Sequence, residues 1–402
     1  AGLSFATEAT PIVTLPTRVL TYATVYNLLD GEEKSVRVSV QIPNDDLRLA
    51  QDFARRAERA GFDSLVALEN QHNPYLPLTA AALVTERIQL GTAVAMAFTR
   101  SPTTTAHVAW DLHNASNGRF YLGLGAQVKA HNEHRYGVPW TPPAPRMRDY
   151  AAAVRAIHHT WATGEPLDFH SDTYNLTLMT PNFSPKPNGL PRVPISMSAV
   201  GPAMLKVAGQ VYDGVRLHPF STRKYLDEVS NARIDAGLAS AGRERKHMEI
   251  ISGGFIATGP SDKILAKWRE YVRFRIAFYC STKAYWDVLR LHGIEDLGVK
   301  VQPYPRQRRW NEMAALISDE MIDLFGIVAK YDDLPAAIEK RYGGLADTIY
   351  PLQLEPDFDP EPLRDVIAAI QKIPCKFEGY SIEAPAMPPK APATASEPDA
   401  AA

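Results

Sequence analysis

The chain is poor in the features that mark most specialised protein classes. Among 402 residues there are only two cysteines, Cys280 and Cys375, in unrelated contexts. They offer neither a disulfide framework nor a thiolate metal cluster. Excess charge of one sign is also missing, since 43 Lys and Arg face 45 Asp and Glu for a formal net charge of −2. That balance leaves no electrostatic footprint for DNA or RNA and no polybasic signal for anionic lipid. No apolar run reaches the roughly 18 residues that a transmembrane helix needs. The first residues, Ala1-Gly2-Leu3-Ser4, lack the basic-then-apolar layout of a signal peptide, so a reducing cytoplasm is the compartment expected. The phosphate loop G-x-x-x-x-G-K-[ST], the zinc motif H-E-x-x-H and the nucleophile elbow G-x-S-x-G are all absent.

What the chain does contain is alternation. Short apolar runs predict strands at 36–42, 62–68, 88–98, 119–124, 193–198, 214–218, 248–258 and 347–352. Helical spacing fills the gaps, with Asn44 expected to cap the first helix and Gly61 to end it. Asp63, Asp213 and Asp347 each stand just before a strand, as a helix-to-strand turn repeated around one architecture would place them. Sustained strand–helix alternation means a parallel sheet, open or closed. An open dinucleotide-binding sheet should show a glycine-rich turn after its first strand, but here Pro43-Asn44-Asp45 follows. The expectation is a (β/α)8 TIM barrel over 36–375. An N-terminal extension covers 1–35, and an Ala/Pro-rich tail, read as disordered, covers 376–402.

Three stretches fall at the C-terminal ends of these strands, where a barrel builds its active site. Glu69-Asn70-Gln71-His72-Asn73 crowds an acid, an imidazole and amides into one loop, which is either a site or a self-satisfied polar turn. Gly91 to Pro102 is rich in small residues, which fits either close approach of a flat ligand or simple barrel packing. Ser198-Ala199-Val200-Gly201-Pro202 feeds a helix whose start could hold an anion or be an ordinary turn. His131-Asn132-Glu133-His134 lacks further ligands at metal spacing, so no metal is expected.

In order and spacing these stretches, with Glu86-Arg87-Ile88-Gln89-Leu90-Gly91, Gly118-Arg119-Phe120-Tyr121-Leu122-Gly123-Leu124-Gly125 and Arg341-Tyr342-Gly343-Gly344, resemble the luciferase-like monooxygenase superfamily. Within it the chain looks most similar to the coenzyme F420-dependent oxidoreductases. The resemblance implies a barrel with insertions after strand four, here 126–145 and 165–192, over its mouth. It implies a flat three-ring cofactor resting on a non-proline cis peptide at Ala93–Val94, with its phosphate near Ala199, Val200, Gly201 and Pro202. Asn70, Gln127 and His131 would line that cofactor. The implied activity is hydride transfer between reduced F420, a deazaflavin, and a small organic substrate. The alternatives are a monooxygenase using reduced FMN and oxygen, and a non-catalytic cofactor-binding barrel.

The chain departs from well-known members at Val128, where they carry an acid, and at Glu69-Asn70, where an acid and His are adjacent. The imidazole arrives two residues later. His72 is therefore the expected acid–base group, oriented by Glu69, with Tyr75, His131 and His218 as the other candidates. The partners expected are a small-molecule substrate and a second copy of the chain in a homodimer, with neither nucleic acid nor membrane.

Overall fold

Eight short strands close into a ring: β1 (Arg37–Gln41), β2 (Ser64–Ala67), β3 (Gln89–Thr92), β4 (Phe120–Gly125), β5 (Ile195–Ala199), β6 (Gly214–Leu217), β7 (Glu249–Gly253) and β8 (Thr348–Leu352). This is a computed structural model, which describes residues 34–352 and 354–386. Every pairing in the ring is parallel, and β8 returns to β1 with Arg37 opposite Thr348. All eight expected strands are present, and the closed (β/α)8 TIM barrel is the fold.

The helices that wrap the ring follow from apolar stripes. Helix α1 (Leu47–Ala60) buries Ala50, Phe53, Ala54, Ala57 and Ala60, one face of a 3.6-residue period. Gly61 ends it in a left-handed conformation, φ 91°. Its cap is Asp46, whose carboxylate accepts from the Arg48 amide; Asn44 instead donates to the Leu68 carbonyl. The other long helices are α2 (Tyr75–Ala82), α3 (Pro102–Ala115), α4 (Lys129–Arg135), α5 (Pro143–Thr163), α6 (Pro202–Val211), α7 (Ala232–Ser240), α8 (Asp262–Cys280), α9 (Leu334–Tyr342) and α10 (Glu361–Ile370).

The three recurring aspartates do the same work at the barrel's N-terminal face. Asp63, before β2, accepts from the Val38 amide of β1 at 2.6 Å. Asp213, before β6, accepts from Ile195 of β5 at 2.8 Å. Asp347, before β8, accepts from Ile250 of β7 at 2.7 Å. Each carboxylate satisfies an amide of the preceding strand that would otherwise be buried unpaired. Below them Glu249 takes Arg37, Thr348 and Tyr380 into one buried network.

Besides the Asn44 cap, four expectations differ from the structure. The predicted strand 88–98 is broken: β3 stops at Thr92, and Ala95–Met96 resumes pairing with β4 beyond a bulge. The predicted strand 248–258 is also two pieces. Gly253 and Gly254 have φ of 129° and 103°, values that L side chains avoid. They throw Ile256–Gly259 out of the ring to pair with Ile327–Lys330. Between these two short strands lies a helical insertion with its own apolar core around Phe220, Phe255, Ile276 and Phe325. Of the segments expected over the mouth, 165–192 packs instead along α3 and α5. Thr173 donates to Asp149, Tyr174 meets Tyr150 edge-on, and Asn188 donates to Asn114.

The last correction concerns the tail. The chain stays packed past 376, with Phe377 and Tyr380 buried, because their amide and hydroxyl groups close the acceptors of Asp347 and Glu249. Residues 387–402, and 1–33 of the N-terminal extension, lie outside the described residues.

Candidate active site

At the C-terminal ends of the strands the ring opens into a cavity of about 980 Å³. One wall is the β3 bulge, where Ala93 and Val94 are joined by the cis peptide that the resemblance implies. The Glu69 carboxylate holds this wall from beneath. It receives both terminal nitrogens of Arg100, at 2.7 and 2.8 Å, and the Met96 amide at 2.7 Å. With its oxygens committed to that pair and that amide, Glu69 is a positioning group for the bulge.

A second wall is the β5–α6 turn. Ala199, Val200 and Gly201 line the cavity, and a methyl group added at Gly201 would meet nothing within 4 Å. No side chain caps α6, and Pro202 begins it. Helix-end N–H groups beside open space suit an anionic group. The floor between the two walls is close-packed. A Cβ at Gly125 would fall 2.5 Å from Val94 and 3.0 Å from the Ser198 hydroxyl, so only glycine keeps it flat. Gln127 also lines the cavity, in a left-handed conformation with φ 57°.

The third wall was not anticipated as a whole. Helix α8 presents Trp268, Tyr271, Arg275 and Tyr279 along one face, joined by Tyr285 and by His218 at the end of β6. The His218 ring is stacked on Tyr285 and meets Tyr279 edge-on, both with centroids 4.4 Å away. Burial, and then the charge of Arg275, push its pKa down to about 3. The Phe220 amide donates to its Nδ1 at 3.0 Å, so the proton of the neutral ring sits on Nε2.

The structure thus brings together Glu69, Ala93, Val94, Gln127, Ala199, Val200 and Gly201. It does not bring the other expected residues to the cavity. His72 and Asn70 are exposed outside its lining, because the loop turns outward: Asn70 accepts from Gln71, and Asn73 accepts from Tyr75 to start α2. His131 is exposed on α4, and Pro202 is exposed at the start of α6. Tyr75 is buried beside Arg100. The missed wall had a signal in the sequence. Positions 268, 271, 275 and 279 repeat at helical spacing with aromatic or basic residues where an ordinary packed face would be aliphatic.

No helix among the described residues is long and apolar enough to cross a membrane, and no group of three or more His, Cys, Asp or Glu there could hold a metal ion.

Known proteins share both the sequence and the architecture. An uncharacterized protein of Mycobacterium tuberculosis is 40% identical over 322 residues, 80% of this chain and 94% of that protein. A 5,10-methylenetetrahydromethanopterin reductase of Archaeoglobus fulgidus is 29% identical, over 76% of this chain and 90% of its own. Among solved structures, the coenzyme F420-dependent tetrahydromethanopterin reductase of Methanopyrus kandleri superposes with a TM-score of 0.68 at 20% identity, covering 84% of this chain and 98% of that one. The family described as luciferase-like monooxygenase matches residues 26–348, from before β1 to the first residue of β8, and this chain belongs to it.

Proposed function

We propose that the protein is an oxidoreductase that transfers hydride between reduced coenzyme F420 and a small organic substrate. The observation that carries this reading is the pairing of a flat floor at Gly125 with an open, uncapped helix start at Gly201 inside one large cavity. A three-ring cofactor with a phosphate-bearing chain needs both. The solved reductase of Methanopyrus kandleri, which is named as coenzyme F420-dependent, supports F420 as that ring cofactor. When bound, the deazaflavin supplies the hydride.

The chain's own residues do the rest. Ala93 and Val94 support the ring face, with Glu69 and Arg100 fixing that support. The α6 start and Gly201 hold the phosphate. Tyr285 and the aromatic groups of α8, Tyr279 among them, keep water from the opposite side. His218, rather than His72, faces the substrate. As a neutral ring with its proton on Nε2 it donates to a substrate oxygen on which charge develops, and it stays neutral while doing so.

Fluorescence titration with F420 and with FMN tests the reading. F420 should bind at least about tenfold more tightly, a difference of about 1.4 kcal/mol. In single-turnover reduction, His218→Ala should slow the step by about 10²–10³-fold while leaving F420 affinity within a few-fold. Tight FMN binding with oxygen consumption, and none with F420, would replace this reading by the monooxygenase one, which the family's description favours.

A further inference from the structure

Arginines buried in this fold are almost all answered. Arg100 has Glu69, Arg155 and Arg192 share Asp213, Arg245 has Asp347, and Arg37 has Glu249. Arg119 and Arg341 donate to main-chain carbonyls. On α8 itself the outward-facing Arg269 and Arg273 both pair with Asp319.

Two guanidinium groups break this pattern, and both line the same cavity. Arg216, on β6, lies over the Tyr350 ring at 4.9 Å, and its Nη2 is buried with no hydrogen-bond partner. Arg275, on α8, donates to the Tyr279 hydroxyl at 2.8 Å and lies over the Tyr279 ring at 5.2 Å. Among the described residues neither has a carboxylate partner. The acids of the lining do not supply one. Glu69 is taken by Arg100, Glu355 lies 3.9 Å from Lys267, and Asp357 and Asp359 are exposed.

A guanidinium held out of bulk water without an anion is costly, and the cost is recovered when a bound anion provides the missing charge. A ring stack beside the charge adds a preference for a flat body. Arg216 stands on β6 opposite Ser198 of β5, next to the strand that feeds α6, and Arg275 comes from α8; the bulge on β3 is three strands away round the ring. The geometry points to a specificity site here for a small planar organic carboxylate, the carboxylate on Arg275 and Arg216 and the planar body against the tyrosines. This rests on the proposed function only in calling that ligand the substrate. The cofactor's own acidic groups are the other source of a carboxylate, and the test separates the two.

Benzoate and its uncharged isostere benzamide serve as probes, measured by calorimetry on the cofactor-free protein, alongside F420 titrations. Benzoate should bind at least about tenfold more tightly than benzamide. Arg275→Gln should abolish that preference, Arg275→Lys should keep part of it, and F420 affinity should stay within about threefold in both. Equal binding of the two probes, or no binding of benzoate, overturns the assignment without relying on any variant. It is also overturned if Arg275→Gln and Arg216→Gln both keep the preference, or if the loss falls on F420 and not on benzoate. If the benzoate preference holds and F420 does not bind, the carboxylate site stands and the hydride-transfer reading falls.

Discussion

Glu69 shows how one carboxylate can serve a site without reacting in it. Its side chain is 8% exposed and that of Arg100 19%, so the pair is largely shielded from solvent. Removing one partner leaves the other charged and poorly solvated. Glu69→Ala should therefore cost about 3 kcal/mol in urea unfolding, with weaker cofactor binding as the bulge loosens. A cost under about 1 kcal/mol would place the pair with ordinary surface bridges. A second residue gives a pH signature. Burial pushes the His158 pKa down to about 4 while its Nε2 bonds the Ala106 carbonyl. Below about pH 6.5 the unfolded chain takes a proton that the folded chain refuses. Stability from this group is therefore full above that value and is lost as pH falls to about 4, by about 3 kcal/mol. Urea titrations from pH 7 to 4 should show that loss on top of those from His113 and His218, which burial also holds low, and His158→Gln should lose less stability than the parent by this one residue's share. His218 behaves alike in its own surroundings, so its share of the reduction rate should not vary between about pH 5 and 8.

At the scale of elements, most of the ring was legible and the site only in part. Short apolar runs bounded by turn residues marked all eight strands, because a strand buried on both faces leaves an uninterrupted apolar record. The β5–α6 turn was legible because Pro and Gly mark local geometry, whereas the bulge at Ala93–Val94 came only from the resemblance, the residues themselves reading as one strand over 88–98. His72 was not settled by its neighbours. Whether a loop side chain turns toward the cavity depends on contacts made elsewhere, here the cap from Asn73 and the Arg135 bond to the Asn70 carbonyl. The break after β7 was hidden because Ile256–Gly259 is as strand-like as the piece before it, and only Gly253-Gly254 records the turn. That turn is testable. A Cβ at Gly254 would sit 2.7 Å from the Tyr350 ring and 2.8 Å from Pro219, both cavity residues, at a φ that disfavours it anyway. Gly254→Ala should lower stability by about 1–3 kcal/mol and weaken ligand binding. An unchanged melting curve would mean that the turn adapts freely.

Across the whole molecule, chemistry and cohesion occupy opposite faces. The cavity opens at the C-terminal ends of the strands. The N-terminal face is sealed by carboxylates and by the segment that follows Pro374. His247 bonds the Gly379 carbonyl, and Arg192 reaches the Ser381 carbonyl at 2.7 Å. A chain cut after Cys375 loses the Tyr380 hydroxyl from Glu249 and the burial of Phe377. It should unfold about 3 kcal/mol more easily than the full chain, which guanidinium titration would register. No difference would show that the segment merely rests on the barrel.

The two ends of the described barrel also meet. Ser35 bridges Pro374 in antiparallel fashion, and the Cys375 amide donates to the Lys34 carbonyl at 2.9 Å. The fold is therefore nearly endless along its covalent path, with the join on the face away from the cavity. A few residues linking 34 to 375 would turn the barrel into a circular permutant, reopened in an exposed segment with its cyclic strand order intact, and giving up the contacts of Phe377 and Tyr380. Opened between Lys283 and the cavity-facing Tyr285, such a permutant would place a fused reporter at the cavity rim, where ligand binding could be read directly.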